Sequence, residues 1–207
     1  MDTLRKLSLT ALMCYITIIQ SVAQDADKVA LAFSESYAME YNYDYNGAIK
    51  KMSSVFDKNS YEINLRLGWL SYLSAMYKES VNYYSLAIAL RPMSIESRLA
   101  IVNPYAALNS WDEVVKQYQK ILDIDPKNST VNYKLGMIQY NRKDYQNAFK
   151  SFEKVVNLYP FGYDALLMFA WSNYQLGKLK EAKLLFQKVI WLSPTDASAW
   201  EGVGLIK

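Results

Sequence analysis

Chemistry in this chain would have to rest on carboxylates, because its 207 residues contain no histidine and a single cysteine, Cys14. That composition removes the usual zinc ligand sets, Cys/His and Ser/His nucleophile pairs and haem-type ligation. Asp112/Glu113, Asp123/Asp125 and Glu153 fall in turns, on second helices or beside regularly placed prolines, where a carboxylate caps a helix or is solvated. Nothing sets two of them across a cleft, as acid/base hydrolysis requires, and no glycine-containing loop of oxygen ligands is present. The reading is therefore non-catalytic, with no cofactor and no metal. The remaining chemistry is that of aromatic side chains, 14% of the chain, which offer stiff contact surfaces with hydroxyl or indole handles. A net charge of +3, spread without any block of five like charges, excludes a nucleic-acid footprint.

The N-terminus reads as an address. Arg5 and Lys6 precede an apolar run from Leu7 to Ile19, and Ser21-Val22-Ala23 places small residues where a signal peptidase reads. Cleavage after Ala23 is expected, leaving Gln24 first and the protein exported, periplasmic or extracellular. An uncleaved anchor is the alternative, although the 13 residues of that run fall short of the roughly 17 to 25 that span a bilayer. Cys14 is discarded with residues 1–23 in the first reading, so the mature chain would be held by packing without a disulfide.

The elements that must position the aromatic residues repeat. Pro92, Pro126, Pro160 and Pro194 are each 34 residues apart, and the only other proline is Pro104. In the same register recur Leu67-Gly68, Ile101-Val102, Leu135-Gly136, Phe169-Ala170 and Val203-Gly204, followed by Ser80, Val114, Ala148 and Ala182, and then by Tyr84, Tyr118, Phe152 and Phe186. Each unit carries two amphipathic runs of helical spacing around a turn such as residues 141–145 or 175–179. Small residues let the two helices approach, and an aromatic ring fills the space beside them. Proline then ends the second helix. One such hairpin cannot bury both apolar faces, so neighbours must stack.

This pattern resembles the tetratricopeptide-repeat family. The resemblance implies an all-α fold, a right-handed α-solenoid over 24–207. It comprises a degenerate unit at about 27–60, repeats at 61–94, 95–128, 129–162 and 163–196, and a terminal helix at 197–207. Val102 and Ala170 depart from the family's glycine, Val114 departs from its alanine, and only Trp200 occupies the leading aromatic position. Pro104, inside a first helix, predicts a kink because it removes a backbone donor and crowds the carbonyl of Ala100.

The resemblance also implies a concave groove built from first helices. Its positions are occupied by Leu65, Trp69 and Tyr72; Leu99, Asn103 and Ala106; Tyr133, Met137 and Tyr140; and Leu167, Trp171 and Tyr174. Three tyrosines at one repeat position, with Trp or Met three residues before each, form an aromatic ladder that either binds a ligand or partners the adjacent helix. The implied function is that of an interaction module or scaffold, binding a peptide or partner protein through Trp69, Tyr72, Asn103, Tyr133, Met137, Tyr140, Trp171 and Tyr174. Carbohydrate or cell-wall recognition, and a purely structural subunit, are the alternatives. The terminal helix is expected to turn Trp200, Val203 and Gly204 toward Phe186 and Ile190. Leu205 and Ile206 then stand on its outer face, where weak self-association would form.

Overall fold

In a computed structural model, residues 25–206 are described and contain eleven helices and no strand. Helix α1 spans 25–41 and α2 Tyr45–Ser53. They are followed by α3 (Tyr61–Leu73), α4 (Tyr77–Leu90), α5 (Ile95–Ala107), α6 (Trp111–Ile124), α7 (Ser129–Asn141), α8 (Tyr145–Leu158), α9 (Tyr163–Gln175), α10 (Leu179–Leu192) and α11 (Ala197–Leu205). First helices thus begin at 61, 95, 129, 163 and 197, in the register of the prolines. The architecture is that of a helical solenoid. Residues 1–24 and Lys207, and with them the expected cleavage site and Cys14, lie outside the described residues.

Local sequence sets the helix ends. Side chains of Asp44, Ser60, Ser94, Asn128, Asp144 and Asp196 accept from the backbone amide three residues on, relieving amides that would otherwise lack partners. The hairpin turns use one left-handed residue at the same repeat position: Tyr43, Ala75, Asn109, Lys143 and Gly177, with φ of 62°, 58°, 56°, 62° and 73°. Only the last is the glycine that this geometry favours. A second recurring device sits in the first helices. Asn64 donates to the Lys58 carbonyl (3.0 Å), Arg98 to Pro92 (2.8 Å), Asn132 to Pro126 (3.1 Å) and the Trp200 indole to Pro194 (2.9 Å). Four side chains of three chemical kinds at one register position therefore satisfy the same loop carbonyl six residues back. Leu166, at the same position of the repeat over 163–196, has no donor for Pro160.

The chain divides into two compact units at Asn109/Ser110, so the repeat over 95–128 gives its first helix to one unit and its second to the other. In the N-terminal unit, Ala32, Ala48, Met52, Ile63, Leu67 and Leu70 form a buried cluster from α1, α2 and α3. Gly68 lies against the Tyr84 ring, where a Cβ would stand 2.6 Å from Cδ1, and the Ser80 hydroxyl donates to the Gly68 carbonyl at 2.7 Å. Helix α5 runs unbroken through the buried Pro104, and the Leu108 amide donates to its carbonyl at 3.0 Å.

In the C-terminal unit Gly136 makes the same approach to Phe152, with a Cβ position 2.8 Å from its ring. Leu166, Ala170, Ala182, Phe186, Val189, Ala199 and Ile206 form its buried cluster. Two expectations for the terminal helix are corrected. Gly202, rather than Gly204, meets Phe186, with a Cβ position 2.4 Å from the ring, while Gly204 has nothing within 4 Å among the described residues. Ile206, 7% exposed, folds into the cluster and only Leu205, 50% exposed, stays outside.

Candidate functional site

Within the N-terminal unit, α1, α3 and the start of α5 enclose a cleft of about 1120 Å³. Helix α1 contributes Phe33, Tyr37 and Tyr41, spaced four residues apart and so on one face, together with Glu40. Helix α3 contributes Tyr61, Glu62, Leu65, Arg66 and Trp69. Arg91 and Glu96, flanking the Pro92 loop, close one side.

A buried guanidinium organises this cleft. Arg66, 6% exposed, pairs through Nη1 with Glu40 Oε2, donates from Nε to the Ser36 hydroxyl at 3.0 Å, and lies over the Tyr37 ring at 3.9 Å. The other Glu40 oxygen accepts from the Trp69 indole at 2.7 Å. A buried charge is tolerated only when paired and hydrogen-bonded, and here Glu40 and Ser36 meet two of the three guanidinium nitrogens. Nη2 is enclosed and has no partner. Arg91 repeats the theme nearer solvent, lying 4.2 Å from the Tyr61 ring centre and pairing with Glu62 at 2.6 Å. The Tyr61 hydroxyl is 2.8 Å from Ser94 Oγ and donates to Glu96 at 3.0 Å.

Of the residues expected in the groove, Trp69 lines this cleft and keeps 36% exposure. Tyr72 is half-buried between the rings of Trp69 and Tyr77, at 5.8 and 5.9 Å. Asn103 is exposed on α5 and is not among the lining residues. In the C-terminal unit the ladder is packed rather than open. Trp171 stands edge-on to Phe186 at 4.9 Å and to Tyr174 at 5.6 Å, and its indole donates to Ser198 on α11 at 2.9 Å. Trp171 and Tyr174 both border the buried cluster. Tyr140 packs edge-on to Tyr145 at 5.2 Å, and Met137 beside it is half-buried. Burial pushes the Tyr140 phenol above its ordinary value, Tyr145 adds to the rise, and a hydrogen bond with Gln175 opposes it. Tyr133 packs edge-on to Phe152 at 5.9 Å, and its phenol is raised by burial and by the nearby charge of Asp164.

Sequence reasoning missed Tyr37, Glu40, Tyr41 and Arg66. The groove positions that the repeat register implies lie only in the strict repeats, whereas α1 belongs to the degenerate unit. The four-residue spacing of Phe33, Tyr37 and Tyr41 was the available signal. Among the described residues no cluster of three His, Cys, Asp or Glu could hold a metal ion.

Residues 131–161 and 164–196 match the tetratricopeptide repeat family model. They coincide with the α7/α8 and α9/α10 hairpins, and such repeats serve generally as protein-interaction scaffolds rather than catalysts. The human protein O-mannosyl-transferase TMTC1 is 27% identical over 154 residues, covering 70% of this chain. The chain spans only 17% of that relative's length. A tetratricopeptide repeat protein from Parabacteroides merdae superposes with a TM-score of 0.72 at 18% identity, over 87% of this chain and 72% of the other. YrrB, described as a tetratricopeptide repeat protein with an unusual peptide-binding site, gives 0.68 at 13% identity, over 88% and 95%. At such identities the likeness is one of fold.

Proposed function

We propose that this protein is a non-catalytic interaction module whose N-terminal cleft binds an extended peptide or a segment of a partner protein. One observation carries the reading. The cleft exposes Trp69 and Tyr41 beside the Arg66–Glu40 ion pair, whereas Trp171, at the register of Trp69, is packed in the C-terminal unit. Rings of this kind give large contact area at low entropic cost. The peptide-binding description of YrrB supports the same use of the fold. The experiment is titration of the intrinsic tryptophan fluorescence with peptides and, in parallel, with glycans, on the wild type and on the Trp69→Ala variant. A peptide response lost in the variant supports the reading. A response to glycans alone replaces it with carbohydrate recognition, which the exposed rings of Tyr41 and Trp69 would serve by stacking on sugar faces.

Export rests on the composition of residues 1–23, and N-terminal sequencing of the protein recovered from outside the cytoplasm should begin at Gln24. A retained Met1 would indicate the uncleaved anchor. Weak self-association at 197–207 now rests on Leu205 and the exposed Trp200 alone. Light scattering over a concentration series, with Leu205→Ser as control, tests it.

A further inference from the structure

The cleft's charges are unequal. Glu40, Glu62 and Glu96 face it against Arg66 and Arg91. Glu40 is matched to Arg66 and Glu62 to Arg91, while Glu96 meets the Tyr61 hydroxyl rather than a cation. One negative charge is thus left over in a site walled by aromatic faces. The cleft already shows what such faces accept, because its own two arginines lie on them, Arg66 on Tyr37 and Arg91 on Tyr61. Tyr41, 85% exposed, and Trp69 remain accessible beside them. An aromatic wall with an unbalanced carboxylate is the environment in which a cationic side chain is held by ring quadrupole and countercharge together. The second, independent observation is Arg66 Nη2, a buried donor without a partner on the wall of the same cleft. A donor left in that state calls for an acceptor. The charge of Arg66 is already balanced by Glu40, so a neutral carbonyl suffices.

Resting on the peptide-binding reading above, we propose that the N-terminal cleft takes a basic extended segment of a partner protein. One lysine or arginine side chain of the ligand lies on Tyr41 and Trp69, and another meets Glu96 beside Tyr61, which stands ~12 Å along α3 from Trp69. A main-chain carbonyl of the same segment accepts from Arg66 Nη2, reached by rotation of the half-exposed Tyr37 ring that now covers the guanidinium. The whole chain carries a net charge of +3, so general electrostatics repel a basic ligand and any preference for one is local to the cleft.

The probes are three fluorescein-labelled peptides of one length and spacing, Ala-Xaa-Ala-Xaa-Ala-Xaa-Ala with Xaa arginine, citrulline or glutamate. Citrulline keeps the shape of arginine and removes its charge. Anisotropy titrations on the full chain should show the arginine peptide binding at least ~10-fold more tightly than the other two. Glu96→Gln and Tyr41→Ala, both at exposed positions, should each remove most of that preference at unchanged melting temperature. Equal or tighter binding of the citrulline or glutamate peptide overturns the basic specificity and leaves peptide binding standing. Binding of the arginine peptide that survives both substitutions together overturns the location. No binding of any of the three overturns both the specificity and the peptide-binding reading.

Discussion

Trp69 and Trp171 occupy the same repeat position, three units apart, and meet opposite fates. In the N-terminal unit the indole of Trp69 is tied to Glu40 on α1 and its ring stays open to the cleft. In the C-terminal unit Trp171 is tied to Ser198 on α11 and stands against Phe186. The residues one step earlier differ as well. Gly68 admits the Tyr84 ring against its backbone, whereas Ala170 carries a methyl there, and its partner Phe186 is shared with Trp171 and Gly202. Repeat register therefore decides which helical face a side chain occupies. The neighbouring helix and the size of one adjacent residue decide whether that face is a surface or a core.

The strongest way to break this comparison is to truncate both tryptophans. Trp171→Ala should destabilise by ~3 kcal/mol, as loss of a large ring packed on a buried cluster does, whereas Trp69→Ala should cost below ~1 kcal/mol and act on binding instead. Chemical denaturation midpoints of the two variants check this. Equal losses would mean that the cleft is merely another part of the core.

Next in size is the pair of glycines at the eighth position of a repeat. Gly68→Ala must displace the Tyr84 ring and should cost ~1–3 kcal/mol. Gly204→Ala, in the same register but facing nothing, should be neutral or stabilise by up to ~1 kcal/mol through helix propensity. Thermal melts of both variants give the contrast, and a similar loss at Gly204 would mean that a further element packs on α11.

Alkaline titration sharpens the comparison more gently. Burial raises the phenol of Tyr84 in the N-terminal unit, together with those of Tyr118 and Tyr140 in the C-terminal unit, while hydrogen bonding to Asp196 leads the rise at Tyr163. Below the ordinary tyrosine value of ~10 these groups are protonated in both folded and unfolded chains and their contribution is complete. As pH rises above it the unfolded chain ionises first, so stability falls. With no histidine in the chain, stability should be flat from about pH 5.5 to 8 and decline only beyond about 10. Denaturation monitored across that range, with Tyr84→Phe reducing the alkaline slope, is the check. A transition near pH 6.5 would contradict it.

The smallest effect belongs to the hairpin turns. Lys143→Gly relieves a left-handed backbone at a non-glycine residue and should stabilise by ~0.5 kcal/mol, while Gly177→Ala imposes one and should cost ~1 kcal/mol. Matched melting curves read both signs.

The periodicity, the two helices per unit and the hairpin turns were legible in the chain, because spacing of prolines, small residues and rings is a local property that each unit repeats for itself. So was the face on which Trp69, Tyr133 and Trp171 stand. Openness of that face was not legible, since it depends on what a neighbouring helix brings: Glu40 and Tyr37 from a degenerate unit in one case, Ser198 and Gly202 from a terminal helix in the other. The same holds for Ile206, which was expected on the outer face of the terminal helix and which packing turned into the core. Pairing of Arg66 with Glu40 joins residues in different helices, and a buried charge is stable only where tertiary structure delivers its partner. That delivery, not the repeat, made the cleft.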